Sequence, residues 1–158
     1  MNIMTPTAET KTTELERIAE TTATSCIATR VRQLSRIVTR VYDDAMRPLG
    51  ITGSQFTLLT QLAARDGITA VEIGTELDIE KSTLSRNLKR MLALGLIIMD
   101  PPAGRRGRGL HLTPKGADVI KQAYPVWLSA QERAVAVMGP TCRATLDGLL
   151  SQAGRLAT

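Results

Sequence analysis

Between Ile27 and Ala45, apolar side chains recur at intervals of four, three, four, three and four residues: Ile27, Val31, Leu34, Val38, Val41 and Ala45. Ile37 widens the stripe. This spacing is a helical period held over about five turns. A helix with so long an apolar face must cover it, inside its own fold or against a second copy of the chain. Thr24 or Ser25 is placed to cap its start, and Pro48-Leu49-Gly50 to end it.

The pattern downstream changes period twice. A helix is expected from Thr52 or Ser54 to about Arg65, burying Phe56, Leu59 and Leu62, with Asp66-Gly67 as a turn. Ile68 to Leu77 reads as a short helix with Val71, Ile73 and Leu77 inward. Lys81 to Leu94 reads as another, stopped by Gly95. Helical spacing then gives way to Leu96-Ile97-Ile98-Met99 and the alternating Gly109-Leu110-His111-Leu112-Thr113, separated by a Gly/Pro/Arg loop. Thr113-Pro114 starts a helix carrying Ala117, Ile120, Tyr124, Trp127 and Leu128 on one side, with Pro125 expected to bend it. Gly139-Pro140 breaks the chain before a last amphipathic segment with Leu146, Leu149, Leu150, Ala153 and Leu156. Residues 1–24, rich in threonine, read as a mobile arm rather than core, with a short helix over Thr13–Thr21 as the alternative. Two short helices joined by a tight turn and followed by a β-hairpin make a winged helix-turn-helix. The expected class is mainly α with a small β-hairpin wing.

Composition removes several functions. Aromatic residues are 3% of the 158, too few for a surface that stacks single-stranded bases. His111 is the only histidine, so Ser-His, Cys-His and His-metal chemistry would all rest on one side chain. Its place between Leu110 and Leu112 points it outward. Cys26 and Cys142 lie too far apart in sequence for a metal-binding pair and are too few for a disulfide framework. No phosphate-cradling glycine motif occurs. The reading is therefore not an enzyme, with no cofactor and no metal. No apolar run approaches the length of a membrane span, and no leader pattern opens the chain, so the expected location is cytoplasmic.

Charge points to a polyanion. Positions 80–116 hold eight basic residues and two acidic ones, a net +6 against +5 for the whole chain, so the remainder is about −1. Within the Lys81–Leu94 segment, Leu84, Leu88, Met91 and Leu92 share the core face. Ser82, Ser85, Arg86 and Lys89 fall opposite, with Thr83, Asn87 and Arg90 on the flanks. Small hydroxyls allow close approach to a duplex, and Arg and Asn match guanine and adenine edges in the major groove. Arg105, Arg106 and Arg108, spaced by Gly104, Gly107 and Gly109, form a thin cationic tip suited to a narrow minor groove.

Three stretches carry a family resemblance: Ser82-Thr83-Leu84-Ser85-Arg86-Asn87-Leu88-Lys89-Arg90-Met91, Leu94-Gly95-Leu96-Ile97, and Leu112-Thr113-Pro114-Lys115-Gly116. Together they resemble the MarR-type winged-helix transcriptional regulators from about Cys26 to the C-terminus. The resemblance implies a homodimer whose dimerisation helices are residues 25–51 and 114–158, with residues 52–113 as the DNA-binding lobe. It implies recognition-helix contacts at Ser82, Thr83, Ser85, Arg86 and Lys89. The wing arginine falls on Arg106, with Arg105 and Arg108 as candidates to share its role, because Gly104 replaces the acidic residue usual two positions earlier. The implied partners are a near-palindromic double-stranded operator and an unidentified small-molecule effector, a phenolic or aromatic acid, that releases it. No membrane is involved.

A peroxide-sensing branch of the family uses a cysteine near Cys26, which makes Cys26 a candidate redox residue; the plainer reading is a small buried hydrophobe. Tyr124 and Trp127 read as core or dimer contacts. The rival functions are a winged helix used only for protein contact or dimerisation, and a non-specific nucleoid binder. The polar and basic residues at 82–90 together with the wing arginines argue against the first, and a preference for a palindromic site over random duplex would separate a specific repressor from the second.

Overall fold

The computed structural model describes residues 8–101 and 107–156. Seven helices and one two-stranded sheet follow in the order α1 (Ala8–Ser25), α2 (Ile27–Met46), α3 (Gly53–Ala64), α4 (Ala70–Glu76), α5 (Lys81–Ala93), β1 (Ile97–Met99), β2 (Leu110–Leu112), α6 (Pro114–Met138) and α7 (Cys142–Ala153). Short 3-10 turns cover Arg47–Leu49 and Gly154–Leu156. The chain divides into two compact units, Met1–Thr39 and Arg40–Thr158.

In the first unit, residues 8–24 of the expected arm are helical, within α1. Thr24 lies inside α1, where its hydroxyl donates to the Glu20 carbonyl at 2.8 Å, and α2 begins only at Ile27, so Thr24 is not the cap of the next helix. Cys26 interrupts the helical path between α1 and α2. Ile27, Val31 and Ile37 of the apolar stripe are exposed in the single chain.

The second unit holds the core. Met46, Ile51, Phe56, Leu58, Leu59, Leu62, Ile73, Leu84, Leu88, Met91, Leu96, Ile97 and Leu110 are buried together. Phe56, Leu59 and Leu62 are inward as the spacing requires. Val71 is not: it is 73% exposed, while Ile73 is 1% exposed. Residues two apart on a helix point to opposite sides, so both could not be inward. On α6 the buried and packed face is Val119, Ile120, Ala123, Val126 and Trp127, whereas Tyr124 and Leu128 are exposed. The helix continues through Pro125.

β1 and β2 pair antiparallel, with Ile97 opposite Leu112, Ile98 opposite His111 and Met99 opposite Leu110. The far edge of β2 is also paired. Gly67 N–H donates to the Leu110 carbonyl at 3.1 Å, and Leu110 N–H to the Ile68 carbonyl at 3.0 Å. The turn before α4 thus acts as a third strand and anchors the wing to the helices.

The Leu112–Gly116 stretch explains itself mechanically. The Thr113 hydroxyl accepts from Gly116 N–H at 3.0 Å, capping α6, and donates to the Gly95 carbonyl at 2.8 Å. Lys115 Nζ donates to the Leu94 carbonyl at 2.8 Å, satisfying a group left over at the end of α5. A Cβ on Gly116 would lie 2.1 Å from the Leu96 carbonyl oxygen. Gly116→Ala is therefore expected to destabilise the fold by at least about 2 kcal/mol in urea unfolding. The overlap with backbone outweighs the roughly 1 kcal/mol that Ala otherwise gains over Gly in a helix.

Candidate nucleic-acid interface

The first helix of the motif, α4, is only two turns long and depends on its cap. The Thr69 side chain accepts from Glu72 N–H, and the Glu72 carboxylate accepts from both Thr69 N–H at 2.8 Å and the Thr69 hydroxyl at 2.7 Å. Those bonds hold the Glu72 carboxyl below its usual pKa. At the other end, Asp78 takes a left-handed conformation (φ 49°), and Ile79 N–H returns to the Gly74 carbonyl at 2.9 Å. Gly74 faces Leu84 of α5, and a Cβ there would meet Leu84 Cδ2 at 3.4 Å, an ordinary packing distance.

This turn delivers α5 with one face buried. Leu84, Leu88 and Met91 are in the core and Leu92 packs against it. Ser82, Thr83, Ser85, Arg86 and Lys89 are exposed, and Asn87 is half-buried. The Arg86 guanidinium donates to the Thr83 hydroxyl at 3.2 Å, and the Asn87 amide donates to the Thr83 carbonyl at 3.1 Å. Among the described residues no carboxylate forms an ion pair with Lys81, Arg86, Lys89 or Arg90, although six such pairs, two of them through His111, occur elsewhere. The face is cationic and its charge is uncompensated.

The wing is described in part. Arg105 and Arg106 lie outside the described residues. Arg108 is exposed, and its Nε donates to the Asp100 backbone carbonyl at the root of the wing. Lys115, one of the eight basic residues in the segment, is spent on the end of α5 rather than facing outward as a free charge. His111 is not a free outward side chain. It is half-buried, with Nδ1 2.9 Å from Asp66 Oδ1 and Nε2 3.0 Å from Asp100 Oδ1. No sequence signal links Asp66 to a residue 45 positions away; only the pairing of Gly67–Thr69 with β2 brings them together.

Away from these elements, Cys26 is half-buried immediately before α2. Hydrogen bonds from the Thr29 side chain and backbone, then from Ala28, with Arg32 nearby, hold its thiol below the ordinary value against the opposing effect of desolvation. A cavity of about 310 Å³ is lined by Phe56, Thr57, Thr60, Tyr124 and Trp127. The Tyr124 and Trp127 rings stack with centroids 6.1 Å apart.

A two-turn helix, a tight turn, a second helix with a polar outer face and an anchored hairpin define a winged helix-turn-helix protein. The sequence model of the MarR family matches residues 49–107. The multiple antibiotic resistance protein MarR of Salmonella typhimurium is 35% identical over 86 residues, 54% of this chain and 60% of that protein. The chain therefore matches less than two thirds of that relative's length. The crystal structure of the M. tuberculosis transcriptional regulator MosR superposes with a TM-score of 0.74 at 31% identity, covering 84% of this chain and 98% of the other. A second structure of that regulator, in complex with DNA, gives a TM-score of 0.74 at 29% identity over 85% of this chain and all of the other (100%). The chain belongs to the MarR family.

The two faces of α5 separate experimentally. Arg86→Ala is expected to leave unfolding free energy within about 0.5 kcal/mol of the parent. Leu88→Ala, which hollows the core behind it, is expected to cost about 2–5 kcal/mol. Urea titration of both variants checks this.

Proposed function

We propose that this protein is a homodimeric, sequence-specific double-stranded DNA-binding regulator, a repressor released by a small aromatic or phenolic acid. The observation that carries the reading is the outer face of α5: exposed hydroxyls and cations without acidic partners, on a helix fixed from behind by Leu84, Leu88 and Met91. Ser82, Thr83, Ser85, Arg86, Asn87 and Lys89 read the major groove. Arg108, with Arg105 and Arg106, serves the minor groove. The DNA complex of M. tuberculosis MosR supports assigning DNA as the partner.

The apolar side chains left exposed on α2 (Ile27, Val31 and Ile37) and, separately, on α7 (Leu149 and Leu150) are each covered by a second copy. Two-fold pairing sets two α5 helices about one duplex turn apart, which requires a near-palindromic site. The cavity between α3 and α6 has the size and aromatic walls to take one ring-bearing acid. Such a ligand releases DNA if it prefers a dimer in which the two α5 helices are mis-spaced.

Footprinting on the promoters flanking the protein's own gene, followed by gel-shift titration, tests the reading. Arg86→Ala and Arg106→Ala are each expected to weaken binding by about 1–3 kcal/mol and to lower the salt slope by about one. Equal affinity for the protected site and a random duplex at physiological salt would defeat it. The effector seat is checked separately. Trp127 is the only tryptophan, so titration with benzoic-acid derivatives should change its emission, and Tyr124→Ala should weaken that response.

A further inference from the structure

His111 joins three segments that are far apart in sequence. Asp66 comes from the turn after α3, Asp100 from the end of β1, and His111 from the middle of β2. A neutral imidazole carries one N–H, and an ionised carboxylate only accepts. A ring with a carboxylate oxygen about 3 Å from each nitrogen is matched to both partners only as the imidazolium. Loss of the proton sets a nitrogen lone pair against a carboxylate oxygen on one side.

Asp100 passes this condition into the wing. Its N–H donates to the Gly109 carbonyl at 2.9 Å, and its own carbonyl accepts from Arg108 Nε. Its carboxylate lies so close to Gly109 that a Cβ there would be 2.5 Å from Oδ2. The same aspartate therefore holds the histidine with its side chain and the tip-side arginine with its backbone.

We propose that His111 is a positioning residue for the wing, a proton-operated latch between Asp66 and Asp100 that couples duplex binding to protonation at the wing's root. The DNA arm of this inference rests on the function proposed above; the latch itself does not.

The charged groups around the ring favour the closed form. Asp66 faces it from the α3–α4 turn and Asp100 from the residue after β1. On α4, Glu72 is engaged with Thr69, and Glu76 pairs with Arg65. Arg108 reaches the Asp100 carbonyl rather than the ring. Asp66 and then Asp100 hold the imidazole above its usual pKa. A raised folded-state value means that the latch is complete below the unfolded pKa of about 6.5 and is lost as pH rises through the folded value. The two acids are 79% and 50% exposed, so water and salt temper the coupling to a few-fold effect. Among the described residues no cluster of three or more acidic, histidine or cysteine side chains is placed to hold a metal.

Because His111 is the sole histidine, its ring protons can be followed by NMR without assignment ambiguity. The midpoint should lie above about 6.5 and fall in Asp66→Asn and in Asp100→Asn. A midpoint at the free-histidine value that neither variant moves would overturn the latch. The second measurement is binding to a duplex selected by this protein from a randomised pool, read by fluorescence anisotropy between about pH 6 and 8.5. Wild type should weaken about threefold to tenfold across the midpoint, and His111→Gln should be flat. His111→Gln retains Cys26, whose thiol is held below its ordinary value, so a wild-type slope in that variant would overturn the coupling. If no duplex is bound at any pH, the DNA-binding reading falls and the coupling with it, while the ring titration still decides the latch.

Discussion

The bonds around Thr113 hold the proposed interface in shape because they join three elements at one point. One hydroxyl caps α6 and reaches back to Gly95, the left-handed residue that ends α5. Lys115 completes the same end by bonding Leu94. The bare Cα of Gly116 lets α6 press on the Leu96 backbone. Since Leu96 leads directly into β1, the orientation of the recognition helix, the root of the wing and the start of the long helix are set together. A shift at this junction would move α5 and the hairpin relative to each other, and in the proposed function both fit adjacent grooves of a single duplex.

The same junction sorts the cations. The segment's positive charge divides by role once positions are known. Lys115 bonds a helix terminus and Arg108 bonds the wing's root through Nε alone, whereas Lys81, Arg86, Lys89 and Arg90 stay on or beside the outer face of α5 with no acidic partner among the described residues. Leaving like charges uncompensated on one helix brings no folding benefit, since neighbouring cations repel. In the proposed function a polyanion supplies the missing counter-charge, and the counterions it displaces favour association.

Much of this was legible because helical period is a strong constraint. Leu84, Leu88 and Met91 at i, i+4 and i+7 determine which side of α5 is buried, and with it which residues face outward. Pro48-Leu49-Gly50, Thr113-Pro114 and the two strands were readable from local backbone chemistry in the same way. Short or capped elements were harder. In α4, two turns give too little periodicity to choose between Val71 and Ile73, and the Thr69–Glu72 capping box, not hydrophobicity, sets the phase. Residues 1–24 lacked a strong apolar stripe and looked like an arm, yet residues 8–24 are helical, and the Thr24 hydroxyl bonded back to the Glu20 and Thr21 carbonyls is compatible with that helix.

The His111 cluster was illegible for a deeper reason. Period and propensity report on neighbours in sequence, while Asp66 meets His111 only because Gly67–Thr69 pairs with β2 as an extra strand. That pairing is anchored by main-chain bonds, which carry little side-chain signature. It is also where a polar group can be placed without disturbing the core, since Leu110 faces inward beside it and the ring lies over the turn. A side chain there is free to be chosen for what it does to the wing rather than for packing. A doubly paired imidazole at that position ties the hairpin to the helices through a bond that depends on a single proton, in a chain that has no other histidine to dilute the effect.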